Sequence, residues 1–215
     1  MKQGDLVLID YVGRADGEIF DLTLEQKAKE NDMMRQDVEY KQVPVLIGKE
    51  YVIEGLEEAV KSMEVGDEKE IEVASEKAYG PRDSDNVKTY PEKEFKKQDI
   101  QVRPGEELMI GNRRGKVVSK GSGRVRIDFN HPLSGKDLSY WVRVNEVVED
   151  DEEIAEHIYN YRIGDGNIEF KDGTVKIPST HSHGDHEHEL PEEAKEDLRD
   201  EIEEHTDLEV EFVEK

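Results

Sequence analysis

Four histidines in one short stretch form the densest group of chemically versatile side chains in the sequence. The stretch is HSHGDHEH, residues 181–188, and the histidines are His181, His183, His186 and His188. Imidazole is the side chain that most often binds transition metals, and these spacings can converge in a mobile loop. The stretch therefore predicts nickel or zinc binding, although a solvated polar loop that takes up metal adventitiously has the same composition.

Other reactive constellations are poorly represented in the sequence. The chain has no cysteine, which excludes disulfides, thiolate metal sites and cysteine catalysis. The sequence contains neither a serine-centred glycine elbow nor a phosphate-cradling glycine loop. His131 and His157 are isolated, and carboxylates are so abundant that any pair of them means little. The sequence therefore gives no support for nucleophilic catalysis.

An apolar and partly aromatic set of residues stands out more clearly. Its members fall at the ends or faces of predicted strands and at the start of a predicted helix: Tyr11, Phe20, Val43, Val52, Ile53, Tyr79 and Tyr140. In the stretch YVIEGLEEAV, Val52 and Ile53 stand where a helix usually carries a polar cap. An ordinary hydrophobic core explains this set from periodicity alone, and an apolar binding pocket is the other explanation.

Periodicity and turn residues predict the elements that would position this set. Alternation predicts strands at 5–14, 18–22, 43–49, 68–80 and within 131–150. Apolar residues at spacings of three and four predict a helix over 55–63. Residues 24–41 look like a loop with a short helix. Asp16-Gly17 is a hairpin signal between the first two strands.

Composition limits the classes of partner that this protein could have. The 215 residues include 54 acids and 30 bases, which gives a net charge of −24, and 34% of residues are hydrophobic. Such an acidic chain is not expected to bind nucleic acid or an anionic membrane. The sequence shows no apolar run long enough to span a bilayer, and its start does not resemble a signal peptide. We therefore expect a cytoplasmic protein.

The distribution of charge divides the chain into three predicted domains. Residues 84–127 are basic, whereas the flanking segments 1–83 and 128–149 are acidic, so the basic unit is predicted to be inserted in an acidic one. Its strand-like runs are IQV, ELMIG, GKVVSK and RVRIDF. Residues 150–215, the most acidic part, predict a small α-β-β-α-β domain with a loop at 179–189.

Three stretches of the sequence resemble the FKBP family of peptidyl-prolyl cis/trans isomerases. They are IDYVGRADGEIFD, VPVLIGKEYVIEGLEEAVKSMEVGDEKEIEVASEKAYG and NHPLSGKDLSYWV. The run from Gly48 to Gly55 and the closing Ala78-Tyr79-Gly80 make the likeness specific. SlyD-type and long archaeal members are the most similar. The resemblance implies an α+β fold: an FKBP half-barrel of antiparallel strands around a short helix, a small all-β insert domain in the flap, and a small α/β C-terminal domain.

The resemblance also implies a pocket for a substrate proline. The catalytic residues would be Tyr11, Asp21, Ile53 and Tyr79. The Ile53 N–H would bind a substrate carbonyl, the Tyr79 hydroxyl would reach in from its loop, and Asp21 would be a buried polar group. The pocket itself would be lined by Phe20, Val43, Val52, Leu56, Leu133 and Tyr140. Isomerisation by such a pocket requires no cofactor.

The insert is predicted to bind the rest of an unfolded or partly folded, proline-containing client. Its apolar residues, some of which must form its own core, are Ile100, Val102, Leu108, Met109 and Ile110. Exposed strand edges could pair with extended client chain by β-augmentation. We therefore predict an isomerase that accelerates proline-limited folding and also acts as a chaperone.

Two other functions remain open from the sequence. One is a holdase or assembly scaffold with little catalysis, and the other is a metal-handling protein that uses the histidines of residues 181–188. The C-terminal domain could form a homodimer or hold a partner.

Overall fold

The computed structural model describes almost the whole chain. The described residues are 1–164, 166–183 and 186–214, without the side chains of residues 181–183, 186 and 187. They form two compact units, one made of 1–13, 19–71 and 140–215 and the other of 14–18 and 72–139. No helix within the described ranges is both long and apolar enough to span a membrane.

Fourteen strands and five helices make up the described chain. The strands are β1 (Leu6–Ala15), β2 (Glu18–Leu22), β3 (Val43–Leu46), β4 (Glu68–Val73), β5 (Val87–Pro91), β6 (Glu107–Ile110), β7 (Arg113–Gly121), β8 (Arg124–Asp128), β9 (Leu138–Val148), β10 (Glu169–Lys171), β11 (Thr174–Pro178), β12 (Thr180–His183), β13 (His186–Glu189) and β14 (Glu209–Val213). The helices are α1 (Glu25–Glu30), α2 (Glu54–Lys61), α3 (Glu92–Lys97), α4 (Asp151–Arg162) and α5 (Glu192–His205). Short 3₁₀ turns occupy Ser75–Lys77 and Ser84–Asn86.

A five-stranded sheet forms the framework of the first unit. Its order is β2-β1-β9-β4, and β3 pairs antiparallel with β1 so that Leu6 lies opposite Leu46. Alternation fixes which face of β9 is buried, since successive residues of a strand point to opposite faces. Tyr140, Val142 and Val144 of β9 are buried. These residues confirm the predicted antiparallel framework of the α+β fold.

The short helix α2 covers the predicted helical segment. Leu56 and Val60, one turn apart, are both buried, so the helix turns one apolar stripe inward. Ile53 takes the N-cap position, and its hydrocarbon side chain cannot accept a hydrogen bond. The N–H groups of the first turn are therefore left for acceptors other than a capping side chain.

The C-terminal segment shares a core with the sheet of the first unit. The shared buried cluster is Leu6, Leu46, Tyr51, Val148, Ile154, Ala155, Ile158, Tyr159, Val175, Ile177, Leu198, Ile202 and Val210. Helices α4 and α5 and the three-stranded sheet β10-β11-β14 supply most of it. Residues 150–215 were predicted as a domain of their own, but this shared burial places them in the same compact unit as β1 and β3.

The predicted elements of residues 150–215 are present, with one addition. The predicted hairpin around Asp172-Gly173 is β10–β11, and both turn residues have the positive φ that such tight hairpins use. The loop predicted at 179–189 is wrong, because β12 and β13 pair antiparallel there. Its residues alternate without an apolar face, which is why sequence patterning did not reveal the strands. The residues 184 and 185 between them lie outside the described chain.

The insert in the second unit has its own small core. Its four-stranded sheet has the order β5-β8-β7-β6. The buried residues are Phe95, Val102, Val117, Val125 and Ile127. The prediction of an all-β insert is wrong, because α3 adds a helix that buries Phe95. The run IQV, residues 100–102, is not a strand, and Val102 is buried in the core instead of facing a client.

Two glycines of β7 give a matched test of how tightly this insert core is packed. A Cβ at Gly115 would lie 2.5 Å from Ile127 Cγ2 and 2.8 Å from the Phe129 ring, whereas a Cβ at Gly121 meets nothing within 4 Å. We expect Gly115→Ala to destabilise the insert by about 1–3 kcal/mol, because overpacking displaces core side chains. Hydrogen exchange of the β7 and β8 amides measures the effect. Gly121→Ala is the control, and equal exchange in the two variants would contradict the packing.

Candidate active site

Three aromatic rings of the first unit come together on β1, β2 and β9. The Tyr140 ring lies edge-on to Tyr11 and to Phe20, with both pairs of ring centroids 5.9 Å apart. Edge-to-face contacts of this kind are favourable and fix the orientation of the rings. Tyr140 is buried, whereas Tyr11 and Phe20 are half-buried. The structure therefore brings together three of the predicted site residues as one apolar wall.

A glycine that the sequence analysis did not single out permits this arrangement. A Cβ on Gly13 would lie 2.8 Å from Phe20 Cζ and 2.9 Å from Tyr140 Cε1. The two rings therefore close directly over the backbone of β1. A glycine inside a strand often marks such a close approach, and this was the signal available in the sequence.

Tyr11 is held by a carboxylate on the neighbouring strand. Its hydroxyl donates to Asp21 Oδ2 over 2.6 Å, and Asp21 Oδ1 accepts from the Leu22 N–H over 2.9 Å. The prediction that Asp21 is buried is wrong, because the residue is exposed. Its strand β2 lies at the edge of the sheet, where a carboxylate keeps contact with water. Asp21 therefore positions the Tyr11 ring from the solvent side.

The start of α2 carries three more of the predicted pocket residues. Val52 and Ile53 are both half-buried, and the Ile53 carbonyl accepts from the N–H groups of Leu56 and Glu57. Leu56, on the first turn of α2, is 2% exposed. Val43 is half-buried on β3, opposite Ile9 in the register with β1.

Two predicted site residues belong to the second unit, where a histidine links them. The Tyr79 ring stacks on His131, with centroids 4.0 Å apart and planes 6° from parallel. The Leu133 N–H donates to His131 Nδ1 over 3.2 Å, and the Ser134 hydroxyl donates to the Tyr79 carbonyl over 3.1 Å. His131 is isolated in the sequence, and the structure shows that its ring packs against the ring of Tyr79.

The turn that precedes His131 is anchored by a nearly buried carboxylate. Burial disfavours the charged form of Asp128, but hydrogen bonds from Asn130 and Arg82 outweigh it and hold its pKa below the usual value. Asn130 also donates to the Asp83 carbonyl over 2.8 Å. The flap segment that carries Tyr79 is thus tied to the segment that carries His131 by polar contacts within the second unit.

Ionisable clusters do not explain this site. Among the described side chains there is no group of three or more His, Asp or Glu residues that could hold a metal ion. What the structure offers instead is an apolar surface with two oriented polar groups, the Tyr11 hydroxyl and the Asp21 carboxylate. Such a surface suits a largely apolar ligand.

Comparison with known families shows the family to which this chain belongs. The family model described as FKBP-type peptidyl-prolyl cis-trans isomerase matches residues 1–108, which is half of the chain. The chain belongs to this family. A second model, described as FKBP26, IF domain, matches residues 88–133 and so covers the inserted sheet.

Individual relatives agree with this assignment. The chain is 35% identical over 147 residues to the short-type peptidyl-prolyl cis-trans isomerase of Methanocaldococcus jannaschii, which covers 68% of this chain and 94% of the relative. It is 27% identical over 134 residues to SlyD of Helicobacter pylori, with 59% and 71% covered. For SlyD of Escherichia coli K12 the values are 30% over 110 residues, with 49% and 56% covered. The protein is a prolyl isomerase whose family includes SlyD.

The contact between Tyr11 and Asp21 can be tested as a pair. We expect Tyr11→Phe and Asp21→Ala each to lower turnover of a proline peptide about threefold to thirtyfold, because each removes a charge-assisted hydrogen bond that orients the ring. The double variant should lose little more than either single variant, since both changes break the same bond. Protease-coupled peptide isomerisation measures the rates.

Glu18→Ala is the control for this pair, because Glu18 is an exposed residue of the same strand β2. It should retain the turnover of the unmodified protein. Fully additive losses in the double variant, or full activity in both single variants, would refute a shared role for Tyr11 and Asp21.

Proposed function

We propose that the apolar surface formed by Tyr11, Phe20, Tyr140 and the start of α2 is where the isomerase rotates X–Pro bonds. The observation that carries this proposal is the closure of the Phe20 and Tyr140 rings over Gly13, next to the oriented Tyr11 hydroxyl. This arrangement provides an apolar surface on which the two rings are held in a defined orientation. The catalytic role of Tyr79 and the substrate-binding role of Leu133 stay predictions.

The mechanism follows from the physics of the amide bond. Rotation of a peptide bond has a barrier of about 18–20 kcal/mol, which is the resonance lost on twisting. The planar amide is more dipolar than the twisted one, so water favours the planar form. Transfer into an apolar pocket removes that preference and lowers the barrier. Val52, Leu56 and the three rings would supply this environment, and no covalent step is involved.

Oriented donors would add to this effect. The Ile53 N–H, at the uncapped start of α2, is proposed to bind the substrate carbonyl that precedes the proline. The Tyr11 hydroxyl already donates to Asp21, so its role is to fix the ring and not to bind the substrate. A donor that holds one side of the amide favours a twisted geometry only if the donor is itself rigid.

The inserted sheet is proposed to hold an extended client segment. β6 lies at the edge of this sheet, where its backbone groups can pair with another strand. Met109 at its centre is 60% exposed, whereas Leu108 and Ile110 pack partly against the insert core. Ile100, which is 36% exposed, adds apolar surface nearby in sequence. Of the five predicted client-binding residues, Met109 and Ile100 are thus the ones best placed.

A cavity in the second unit offers further contact area for a client. It has a volume of about 800 Å³, and its lining includes Val118, Phe129 and Pro132 among basic residues such as Arg114 and Lys116. The lining also includes the acidic Glu107 and Asp128, so apolar and charged groups of both signs are available to an unfolded chain. Dimerisation through residues 150–215 and a cytoplasmic location remain predictions.

Proline-limited refolding of an unfolded protein tests whether the pocket catalyses isomerisation while the insert binds the client. We expect the full chain to accelerate refolding strongly, and a variant with residues 84–127 replaced by a short linker to lose most of this effect. Turnover of a short proline peptide should persist in that variant, because a short peptide does not need the insert. The holdase or scaffold alternative requires the opposite, namely no acceleration of either substrate by either form.

Met109→Ser is the matched point variant in the same assay, and Val118→Ser is its comparison on β7. Met109→Ser should weaken refolding activity and leave peptide turnover unchanged, because β6 is an edge strand. If only Val118→Ser lowers refolding activity, the client contact lies at the cavity and not at β6.

A second function, metal binding, is favoured by the register of the hairpin β12–β13. His181 lies opposite His188, and His183 lies opposite His186, so all four predicted ligands occupy one face by register. Imidazoles in adjacent cross-strand pairs are a suitable arrangement for nickel or zinc. The described side chains hold no such cluster, but those of His181, His183 and His186 are outside the described set.

Calorimetric titration of the full chain with nickel or zinc tests this arrangement. We expect a site tighter than about millimolar that is weakened at least tenfold in His181→Ala and in His183→Ala, since each removes one of two cross-strand pairs. His157→Ala is the control because His157 lies on α4. Binding no tighter than millimolar, or equal loss in the control, would refute a metal function for the hairpin.

A further inference from the structure

Tyr51, the residue directly before the pocket residues Val52 and Ile53, is enclosed by the C-terminal helices. It is 6% exposed and belongs to the shared core of the first unit. Its ring stacks on Tyr161 with the centroids 3.7 Å apart and the planes 9° from parallel. The end of α4 thus packs against the side chain of Tyr51, directly before the proposed pocket residues.

A hydrogen bond to the Tyr51 backbone connects this packing to the proposed pocket. The Tyr161 hydroxyl donates to the Tyr51 carbonyl over 3.0 Å. Because peptide units are planar, this bond fixes the orientation of the whole peptide that joins Tyr51 to Val52. The dihedral angles of Val52 are then the only soft rotations between that fixed peptide and the Ile53 N–H. The bond from Tyr161 therefore limits the directions in which this N–H can point.

An ion pair between the half-exposed Arg162 and a buried carboxylate joins α4 to α5 beside Tyr51. Arg162 donates to both oxygens of Glu201 on α5, over 2.6 Å and 2.8 Å, and the Glu201 side chain is 5% exposed. The Tyr51 hydroxyl donates to the same carboxylate over 3.3 Å. Burial, and next the charge of Glu201, raise the pKa of Tyr51, while the bond to Glu201 raises the pKa of Arg162. Tyr51 is thus kept as a donor and Arg162 as a cation.

The geometry points to Tyr161 as a positioning residue for the isomerase reaction: through its bond to the Tyr51 carbonyl, α4 sets the direction of the Ile53 N–H. This inference rests on the proposed pocket. It assigns a role in the isomerase reaction to the segment 150–215, which lies outside that pocket. A carboxylate buried and shared by α4, α5 and Tyr51 is a costly arrangement for stability alone, since an apolar replacement is often equally stable. The specific effect of this carboxylate is to hold Tyr51, α4 and α5 in one arrangement.

Tyr161→Phe is the decisive variant, because it keeps the ring stack and removes only the hydroxyl. We expect kcat/KM for a proline peptide to fall about threefold to tenfold, the effect of one lost hydrogen bond. The amide resonances of Val52 and Ile53 should shift or broaden in a ¹⁵N–¹H spectrum of the full chain. Far-ultraviolet circular dichroism should remain that of the unmodified protein.

Glu204→Gln is the matched control for this variant. Glu204 pairs with Lys49 over 2.5 Å and so joins the same two parts of the chain at an exposed position, without a described contact to Tyr51. It should lower Tm as much as Tyr161→Phe or more, but leave kcat/KM and the Ile53 resonance unchanged. Glu201→Gln is the second variant on the same network, and it should shift the Ile53 resonance in the same direction as Tyr161→Phe.

The result that overturns the inference is a Tyr161→Phe protein with unchanged kcat/KM at 25 °C and an unchanged Ile53 resonance, whatever its Tm. If Tyr11→Phe and Asp21→Ala lose activity in the same assay, only the inference about α4 has failed. If they retain full activity as well, the proposed pocket is also wrong. A loss of activity in Glu204→Gln equal to that in Tyr161→Phe would show a general stability effect and would overturn the inference too.

Discussion

Burial of one apolar cluster connects the half-barrel sheet to the helices that follow it in the chain. Leu6 and Leu46 come from paired strands of the sheet, and Ile158 and Ile202 come from α4 and α5. All four are at most 1% exposed, so each contributes most of its apolar surface to one core. Tyr51 belongs to the same cluster. The core that stabilises the first unit therefore also fixes the position of the residue directly before the proposed pocket residues Val52 and Ile53. A substitution that loosens α4 or α5 therefore reaches the pocket through packing, without touching a substrate.

The pocket itself depends on a different constraint, which is how closely two rings approach a strand backbone. Only a residue without a Cβ leaves room for Phe20 and Tyr140 over β1, and Gly13 provides it. Both rings are then held by edge-to-face contacts and by the bond between Tyr11 and Asp21. The proposed catalytic surface is held rigid by these contacts. Rotation of a neutral amide is favoured by surroundings that do not rearrange, and a rigid surface provides them.

Much of this architecture could be predicted from the sequence, and the exceptions have physical causes. Strong alternation in β1 and β9 and the apolar stripe of α2 predicted those elements, and the FKBP resemblance predicted the aromatic wall. The exposure of Asp21 depends on strand order, which periodicity does not contain. Helix α3 was missed because Phe95 is its only buried residue, although acids in its first turn and lysines in its last turn are typical of a helix. The contacts of Tyr161 and Glu201 join positions more than a hundred residues apart, and no local pattern reveals them.

The sequence separation of these contacts also determines how late they can form while the chain is being synthesised. The bond between Tyr51 and Glu201 closes a separation of 150 residues. At translation rates of about 5–20 residues per second, Glu201 emerges roughly 8–30 seconds after Tyr51. During that interval the segment before α2 lacks the Glu201 carboxylate, and for most of it the segment also lacks its ring partner Tyr161. A nascent chain that already contains every residue of the proposed pocket would thus be an immature enzyme, and it would gain full activity only when the last helix docks.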